Sequence, residues 1–184
     1  MINCGVQGHR RTGGSALAQV YSQLGAGTPD VDIPQLGAAF SVTQRLINGG
    51  TVLAGHDISD GGIAVALLEM AFSGVAGVRA DLPDPENSGA HAVLFAEEVG
   101  LVLEVDADAA EAVVAAYAAA DVPCSVIGAT TEAPMCSLRV EGAEVVKAPS
   151  AALRDIWEEA SFALERLQAC LPPPRCSLTV SWHH

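Results

Sequence analysis

The residue types that can carry out chemistry are concentrated in one short segment, residues 56–62. This segment combines a histidine, two carboxylates, a hydroxyl and two glycines, and glycine lets the backbone approach a ligand without a Cβ in the way. A hard cation such as Mg²⁺ prefers oxygen ligands and usually shares one or two carboxylates with phosphate oxygens. The segment therefore predicts half of a metal–nucleotide site, formed by His56, Asp57, Ile58, Ser59, Asp60, Gly61 and Gly62.

Two predicted elements would position this segment. The apolar run 51–55 predicts a strand that leads in, and the helical pattern 63–72 predicts a helix that leads out. The helix would direct its free N–H groups and its positive dipole end at the segment, which favours a phosphate held through a cation. A simpler interpretation stays open, in which Asp60 only caps the helix and His56 and Asp57 are ordinary loop residues.

The composition restricts the classes of partner. The chain has 184 residues, which fits one domain with a tail, and 50% of them are hydrophobic. Aromatic residues make up only 4%, so the core must consist mainly of alanine, valine and leucine. The formal net charge of -13 argues against nucleic acid and anionic membranes as partners, because both need clustered lysine and arginine.

Cysteine use and hydropathy indicate the compartment. Cys4, Cys124, Cys136, Cys170 and Cys176 are widely spaced, which predicts neither a zinc site nor a disulfide framework and favours a reducing compartment. The longest nearly apolar stretch is shorter than the roughly 20 residues of a membrane helix, and the N-terminus has no apolar signal core. We expect a cytoplasmic protein, or a plastid or mitochondrial one if the true N-terminus lies upstream.

The order of the predicted elements indicates the fold class. Paired strands with helices between and around them predict an α+β fold, a layered α/β sandwich with a mostly antiparallel sheet. Residues 1–12 lack periodicity, and we expect them to be disordered. The predicted helices cover residues 12–24, 36–47, 63–72, 108–120 and an amphipathic segment from 150 onward, and the predicted strands cover 51–55, 76–82, 101–105, 124–127, 138–140 and 145–147.

Four motifs, taken in order, resemble phosphoribosylformylglycinamidine synthase, the large eukaryote-type amidotransferase family of purine biosynthesis. They are residues 13–19, 55–62, 67–72 and 94–98, and residues 153–168 resemble the segment that joins the synthetase half of that family to its glutaminase domain. The resemblance implies a synthetase C-terminal-type domain over 13–148, similar to that of aminoimidazole ribonucleotide synthetase-like proteins. It also implies a linker helix over 149–171 toward a glutaminase domain and a non-family tail over 172–184.

The resemblance implies a function as well. The family converts formylglycinamide ribonucleotide to formylglycinamidine ribonucleotide in de novo purine biosynthesis, using ATP and glutamine-derived ammonia. By this resemblance Asp57 matches a magnesium-binding position and Ser59 a nucleotide-binding position, and Gly61 and Gly62 belong to the same nucleotide motif. Mg²⁺ and ATP or ADP are therefore the expected cofactors.

Other parts of the resemblance are incomplete. Nothing in the sequence matches the upstream synthetase segments or the glutaminase domain of the family, so we expect the chain alone to be inactive and to need those domains as partners. The family has a catalytic and a structural nucleotide site, and the sequence leaves open which of them Asp57 serves. Two alternatives remain: a non-catalytic nucleotide-binding or interaction module that retains the fold, and a domain without a ligand. His56 and Asp60 have a supporting role, and Glu97 and Glu98 are adjacent to the site without a firm chemical role.

Overall fold

The structure is a computed structural model that describes residues 1–5, 10–25 and 27–169. Within these ranges the chain forms eight strands and six α-helices. The strands are β1 Ile2–Gly5, β2 Val52–Asp57, β3 Gly77–Leu82, β4 Gly100–Val105, β5 Cys124–Val126, β6 Gly128–Thr131, β7 Met135–Val140 and β8 Ala143–Pro149. The helices are α1 Ala16–Val20, α2 Ile33–Asn48, α3 Gly62–Gly74, α4 Ala90–Phe95, α5 Ala110–Ala118 and α6 Ser150–Ala169.

The strands form two four-stranded sheets. The first sheet has the order β2-β4-β1-β5 and the second has the order β6-β3-β7-β8. All pairings in the described part of the chain are antiparallel except that of β3 with β7, which is parallel. The predicted α+β fold with mostly antiparallel sheets is therefore confirmed.

The first sheet separates two apolar cores. Side chains alternate between the two faces of a strand, and β4 shows this directly. Val102 packs into the core that contains α3, α4 and the second sheet. Leu103 packs into the core that contains α2 and α5. Because the edge strand β2 pairs with β4 as far as Asp57 and contacts α3, its C-terminal end is held at a fixed position next to that helix.

The expected disorder of residues 1–12 is wrong for residues 2–5. These residues form β1, an interior strand that pairs with β4 on one side and with β5 on the other. Ile2 is fully buried and Cys4 is 3% exposed. A strand of four residues is too short to show a period, and both of its pairing partners lie about a hundred residues away, so the local sequence carried no signal for it.

Other elements differ in extent from the predictions. Helix α1 covers only Ala16–Val20, because the chain leaves helical geometry after Tyr21 and Ser22 has a positive φ. Two short elements, α4 and β6, were not predicted, since six helical residues and a four-residue Gly-Ala-Thr-Thr strand have little periodicity. The predicted helix from residue 150 is confirmed as α6, and the predicted tail 172–184 lies outside the described residues.

A buried tyrosine should make the stability of the fold depend on pH in the alkaline range. Tyr117 is fully buried, and its hydroxyl lies 2.6 Å from Thr43 Oγ1, which itself donates to the Ala39 carbonyl at 2.7 Å. Tyr117 is therefore the donor to Thr43. Burial raises the pKa of Tyr117 from 10.0 to about 12.

We expect the free energy of unfolding to fall as the pH rises from 10.0 toward about 12. In this window the unfolded chain releases the phenol proton of Tyr117 and the folded chain keeps it, so proton release favours the unfolded state. Tyr117→Phe should remove this contribution and cost about 1 kcal/mol at neutral pH through the lost hydrogen bond. Urea denaturation of both proteins across the alkaline range tests this, and equal pH slopes would contradict it.

Candidate nucleotide and metal site

The predicted site segment lies where β2 passes into α3. Strand β2 is longer than predicted and includes His56 and Asp57, because it pairs with β4 as far as Asp57 opposite Leu101. The Ile58 N–H donates to the Gly100 carbonyl at 2.8 Å, which fixes the chain directly after the strand. Asp57 and Ser59 thus lie close in the chain at the C-terminal end of an edge strand.

Both predicted ligand residues present their side chains to solvent. The Asp57 side chain is 72% exposed, and Ser59 and Asp60 are also exposed. No side-chain oxygen of Asp60 caps α3, whose N-cap is Gly61. The helix-cap interpretation of Asp60 is therefore wrong. The Asp57 carboxylate, whose Oδ1 lies 3.5 Å from His56 Nδ1, and the Ser59 hydroxyl are open to solvent.

The two glycines shape the turn. Gly61 has φ +85° and Gly62 has φ +68°, a region in which residues with a Cβ are strained. The Gly62 N–H donates to the Ser59 carbonyl at 2.9 Å and the Gly61 N–H donates to the Glu97 carboxylate at 2.8 Å. Since both N–H groups are used within the chain, these glycines position the turn by their backbone conformation.

Glu97 connects the turn to a distant segment. Its Oε1 accepts from the Gly61 N–H and also from the Ala16 N–H, each at 2.8 Å. One carboxylate oxygen therefore joins the start of α3 to the start of α1. The sequence indicated only that Glu97 was adjacent to the site, whereas the structure shows that its carboxylate holds the turn by accepting the Gly61 N–H.

Glu98 has a different partner, Arg11. Arg11 donates to it from Nε at 2.8 Å, from a terminal guanidinium nitrogen at 3.0 Å and from the backbone N–H at 3.0 Å. The hydrogen bond to Glu98 raises the pKa of Arg11. The segment before α1 is thus held against the loop after α4. Sequence reasoning missed Arg11, because its partner lies 87 positions away.

A second polar cluster joins the end of β2 to the C-terminal helix. His56 Nε2 lies 3.0 Å from one oxygen of Glu69, and the Trp157 indole N–H donates to the other at 2.9 Å. Trp157 also contacts Phe72, with ring centroids 6.0 Å apart. Glu69 therefore connects α3 with α6 and with the residue before Asp57.

A cavity of about 430 Å³ lies on the inner side of the turn. Ile58 and Ile63 form part of its wall, together with Asn3, Arg10 and Cys124. The side-chain oxygen of Asn3 is buried and has no hydrogen-bond partner among the described residues.

The metal-binding capacity of the described residues is limited. Within residues 1–5, 10–25 and 27–169 there is no group of three His, Cys, Asp or Glu side chains arranged to hold a metal ion. Asp57 alone fits the chemistry of Mg²⁺, which often uses one or two protein carboxylates and completes its shell with phosphate oxygens and water.

None of the helices in this part of the chain is long and apolar enough to span a membrane.

Sequence comparisons show that the chain is similar to segments of longer proteins. The chain is 47% identical over 173 residues to phosphoribosylformylglycinamidine synthase of Homo sapiens. It is 45% identical over 163 residues to an Arabidopsis thaliana protein named as a probable phosphoribosylformylglycinamidine synthase, chloroplastic/mitochondrial. These matches cover 92% and 88% of this chain but only 13% and 12% of the two relatives.

The fold is shared with PurL from Thermotoga maritima. Structures of that protein complexed with ATP and with FGAR superpose with TM-scores of 0.63 and 0.62, at 15% sequence identity. The superpositions cover 82% and 83% of this chain and 24% and 27% of those chains. At this identity the likeness shows the fold alone. Residues 5–141 match the family described as AIR synthase related protein, C-terminal domain, and the chain belongs to that family.

Proposed function

We propose that this chain is part of a phosphoribosylformylglycinamidine synthase, an ATP-dependent C–N ligase of de novo purine biosynthesis. In this proposal residues 13–148 are its synthetase C-terminal-type domain and residues 149–171 are a linker helix toward a glutaminase domain. The observation that carries the proposal is the 47% identity over 173 residues to a relative of that name. The exposed Asp57–Ser59 turn at a strand end supports it independently, because its chemistry suits a metal-bound nucleotide.

The turn would contribute one wall of a nucleotide site. Asp57 would bind Mg²⁺ through its exposed carboxylate, and Ser59 would donate a hydrogen bond to a phosphate oxygen. Because Gly61 and Gly62 have no Cβ, the nucleotide could approach the backbone of the turn closely. When bound, Mg²⁺ neutralises charge on the phosphoryl group. The solved complex of PurL with ATP shows that a protein of this fold binds that nucleotide, which supports ATP or ADP as the ligand here.

The remaining parts of the reaction would come from other segments. Formylglycinamide ribonucleotide, ATP and glutamine-derived ammonia must meet, and one wall cannot position all of them. We therefore expect the purified chain to form no amidine from substrate, ATP and ammonia. Helix α6 fits a linker role because Phe162, Leu164 and Leu167 beyond Trp157 are each more than half exposed. Clear turnover by the isolated chain would contradict this proposal.

The nucleotide role of the turn is tested by calorimetric titration of the chain with ADP in the presence and absence of Mg²⁺. Asp57→Asn should weaken the magnesium-dependent binding at least about tenfold, equal to about 1.4 kcal/mol, because the amide has no charge to offer the cation. The matched control is Asp60→Asn, which removes another exposed charge in the same turn and should change binding less than about twofold. Equal effects of both variants would show that only the overall charge matters and would contradict a ligand role for Asp57.

We expect the protein in the cytoplasm, with a plastid or mitochondrion as the alternative. The name of the Arabidopsis relative supports the alternative for plant proteins. Cell fractionation with an antibody against the chain distinguishes the two locations.

A further inference from the structure

Two cysteines that are 120 positions apart face each other across the first sheet. Cys4 in β1 is directly opposite Cys124 in β5. Both are free thiols, and Cys4 is 3% exposed whereas Cys124 is partly exposed. The spacing in the sequence gave no reason to pair them, and only the arrangement of the strands brings them together.

The hydrogen-bond pattern shows which type of cross-strand pair they form. The Ile127 N–H donates to the Met1 carbonyl at 3.1 Å and the Gly5 N–H donates to the Pro123 carbonyl at 3.2 Å. Hydrogen-bonded and non-hydrogen-bonded pairs alternate along an antiparallel ladder, so Cys4 and Cys124 occupy a non-hydrogen-bonded position. Their Cα atoms are then about 4.5 Å apart and their side chains lie on the same face. This spacing lies within the range of about 4.4–6.8 Å that disulfides use.

The surroundings give the two thiols different accessibility. Cys124 is partly exposed, so it is the thiol of the pair that a small solute can reach from solvent. Cys4 lies on the buried side next to Tyr117. A hydrogen bond to Cys124 and burial raise the pKa of the Cys4 thiol, which agrees with the facing position of the two side chains.

We propose that Cys4 and Cys124 are a redox modification site that hydrogen peroxide converts into a reversible disulfide between β1 and β5. The Cys124 sulfur attacks the peroxide, the O–O bond breaks, and Cys124 becomes a sulfenic acid while one water is released. The Cys4 sulfur then attacks the Cys124 sulfur, the S–O bond breaks, and a second water leaves with the Cys4 proton. Two thiols and one peroxide thus give one disulfide and two waters.

The second step is compatible with the buried state of Cys4. The two side chains lie side by side on one face of the sheet at a spacing that disulfides use, so Cys4 can reach the Cys124 sulfur from its buried position. The facing position then makes attack within the pair faster than attack by a thiol from solution.

The disulfide would close a loop that contains most of the fold. A cross-link over such a long loop restricts the unfolded chain strongly. We expect the oxidised protein to unfold at a temperature higher by roughly 5 °C or more than the reduced protein. This inference does not depend on the proposed nucleotide site.

The test uses the full chain with Cys170→Ser and Cys176→Ser, so that the three remaining cysteines all lie in described residues. The folded protein is treated with a small excess of hydrogen peroxide, alkylated, digested without reductant and analysed by mass spectrometry. We expect one peptide pair joined through Cys4 and Cys124 with the loss of two hydrogens, and restoration of both thiols by dithiothreitol. Cys136 is the internal control, because it is fully buried against Ser150 and should remain a thiol.

Three further measurements test the order of the two oxidation steps and whether the protein is still folded. Cys4→Ser should leave Cys124 as a sulfenic or sulfinic acid, and Cys124→Ser should leave Cys4 reduced. Circular dichroism before and after oxidation shows whether the protein is still folded. Absence of the Cys4–Cys124 peptide in folded, peroxide-treated protein, or an equal yield of links to Cys136, would overturn the proposal.

Discussion

Gly62→Ala should lower the free energy of unfolding by about 3 kcal/mol or more, because two separate costs act at one position. Gly62 has φ +68°, where an L-residue with a Cβ is strained. A Cβ at this position would also lie 2.6 Å from the Leu94 carbonyl oxygen, 2.8 Å from the Phe95 Cα and 2.9 Å from the Ala96 carbonyl oxygen. These are backbone atoms, which cannot rotate away as the end of a side chain can. Urea denaturation followed by circular dichroism measures the loss.

The matched control for this change is Gly50→Ala. Gly50 has nearly the same backbone conformation, φ +70°, but no atom lies within 4 Å of its added Cβ. It should therefore carry only the conformational cost of about 1 kcal/mol. If both variants lose the same stability, the close contact between the start of α3 and the end of α4 contributes nothing and the explanation for Gly62 fails.

Glu97→Ala should destabilise the fold by about 3 kcal/mol and loosen two segments together. The backbone N–H groups of Ala16 and Gly61 both donate to the same carboxylate oxygen at 2.8 Å. Hydrogen bonds to a charged group contribute about 1.5–3 kcal/mol each, and Glu97 is partly exposed, so water replaces some of the loss. Hydrogen exchange should show faster exchange at both N–H groups in the variant.

Glu97→Gln separates the charge of this residue from its shape. The amide oxygen of glutamine can still accept both N–H groups, so only the charge-assisted part is lost, about 1 kcal/mol. If the alanine and glutamine variants lose the same stability within error, the two hydrogen bonds that glutamine retains contribute little to stability. Faster exchange at Gly61 without a change at Ala16 would contradict the shared-acceptor role.

The long elements of this protein could be predicted from the sequence, whereas the short elements β1, β6 and α4 could not. Helix α3 was predicted because its apolar pattern extends over ten residues, 63–72, and strands β7 and β8 were predicted from two short apolar runs, 138–140 and 145–147. Strand β1 depends on pairing with β4 and β5, which come about a hundred residues later. Such pairing is decided by the tertiary structure and leaves no local pattern.

The candidate site shows the same division. The sequence could predict that segment 56–62 lies where a strand passes into a helix, because clear apolar patterns precede and follow it. It could not predict the groups that hold the segment in place. Glu97 and Glu69 reach partners far away in the chain, and their roles depend on which elements pack side by side. The assignment of Asp57 and Ser59 to a metal and a nucleotide remains a prediction for the titrations to test.

The interleaved order of the two sheets constrains the synthesis of the protein on the ribosome. The first sheet uses β1, β2, β4 and β5, and the second uses β3, β6, β7 and β8. Neither sheet can be completed from one continuous stretch of chain, because β3 of the second sheet lies between β2 and β4 of the first. In the same way β4 and β5 of the first sheet lie between β3 and β6 of the second. The nascent polypeptide must therefore carry unpaired strand edges until β8, which ends at Pro149, has emerged from the exit tunnel. The nascent chain is most prone to aggregation in that interval, since exposed strand edges can pair with other chains.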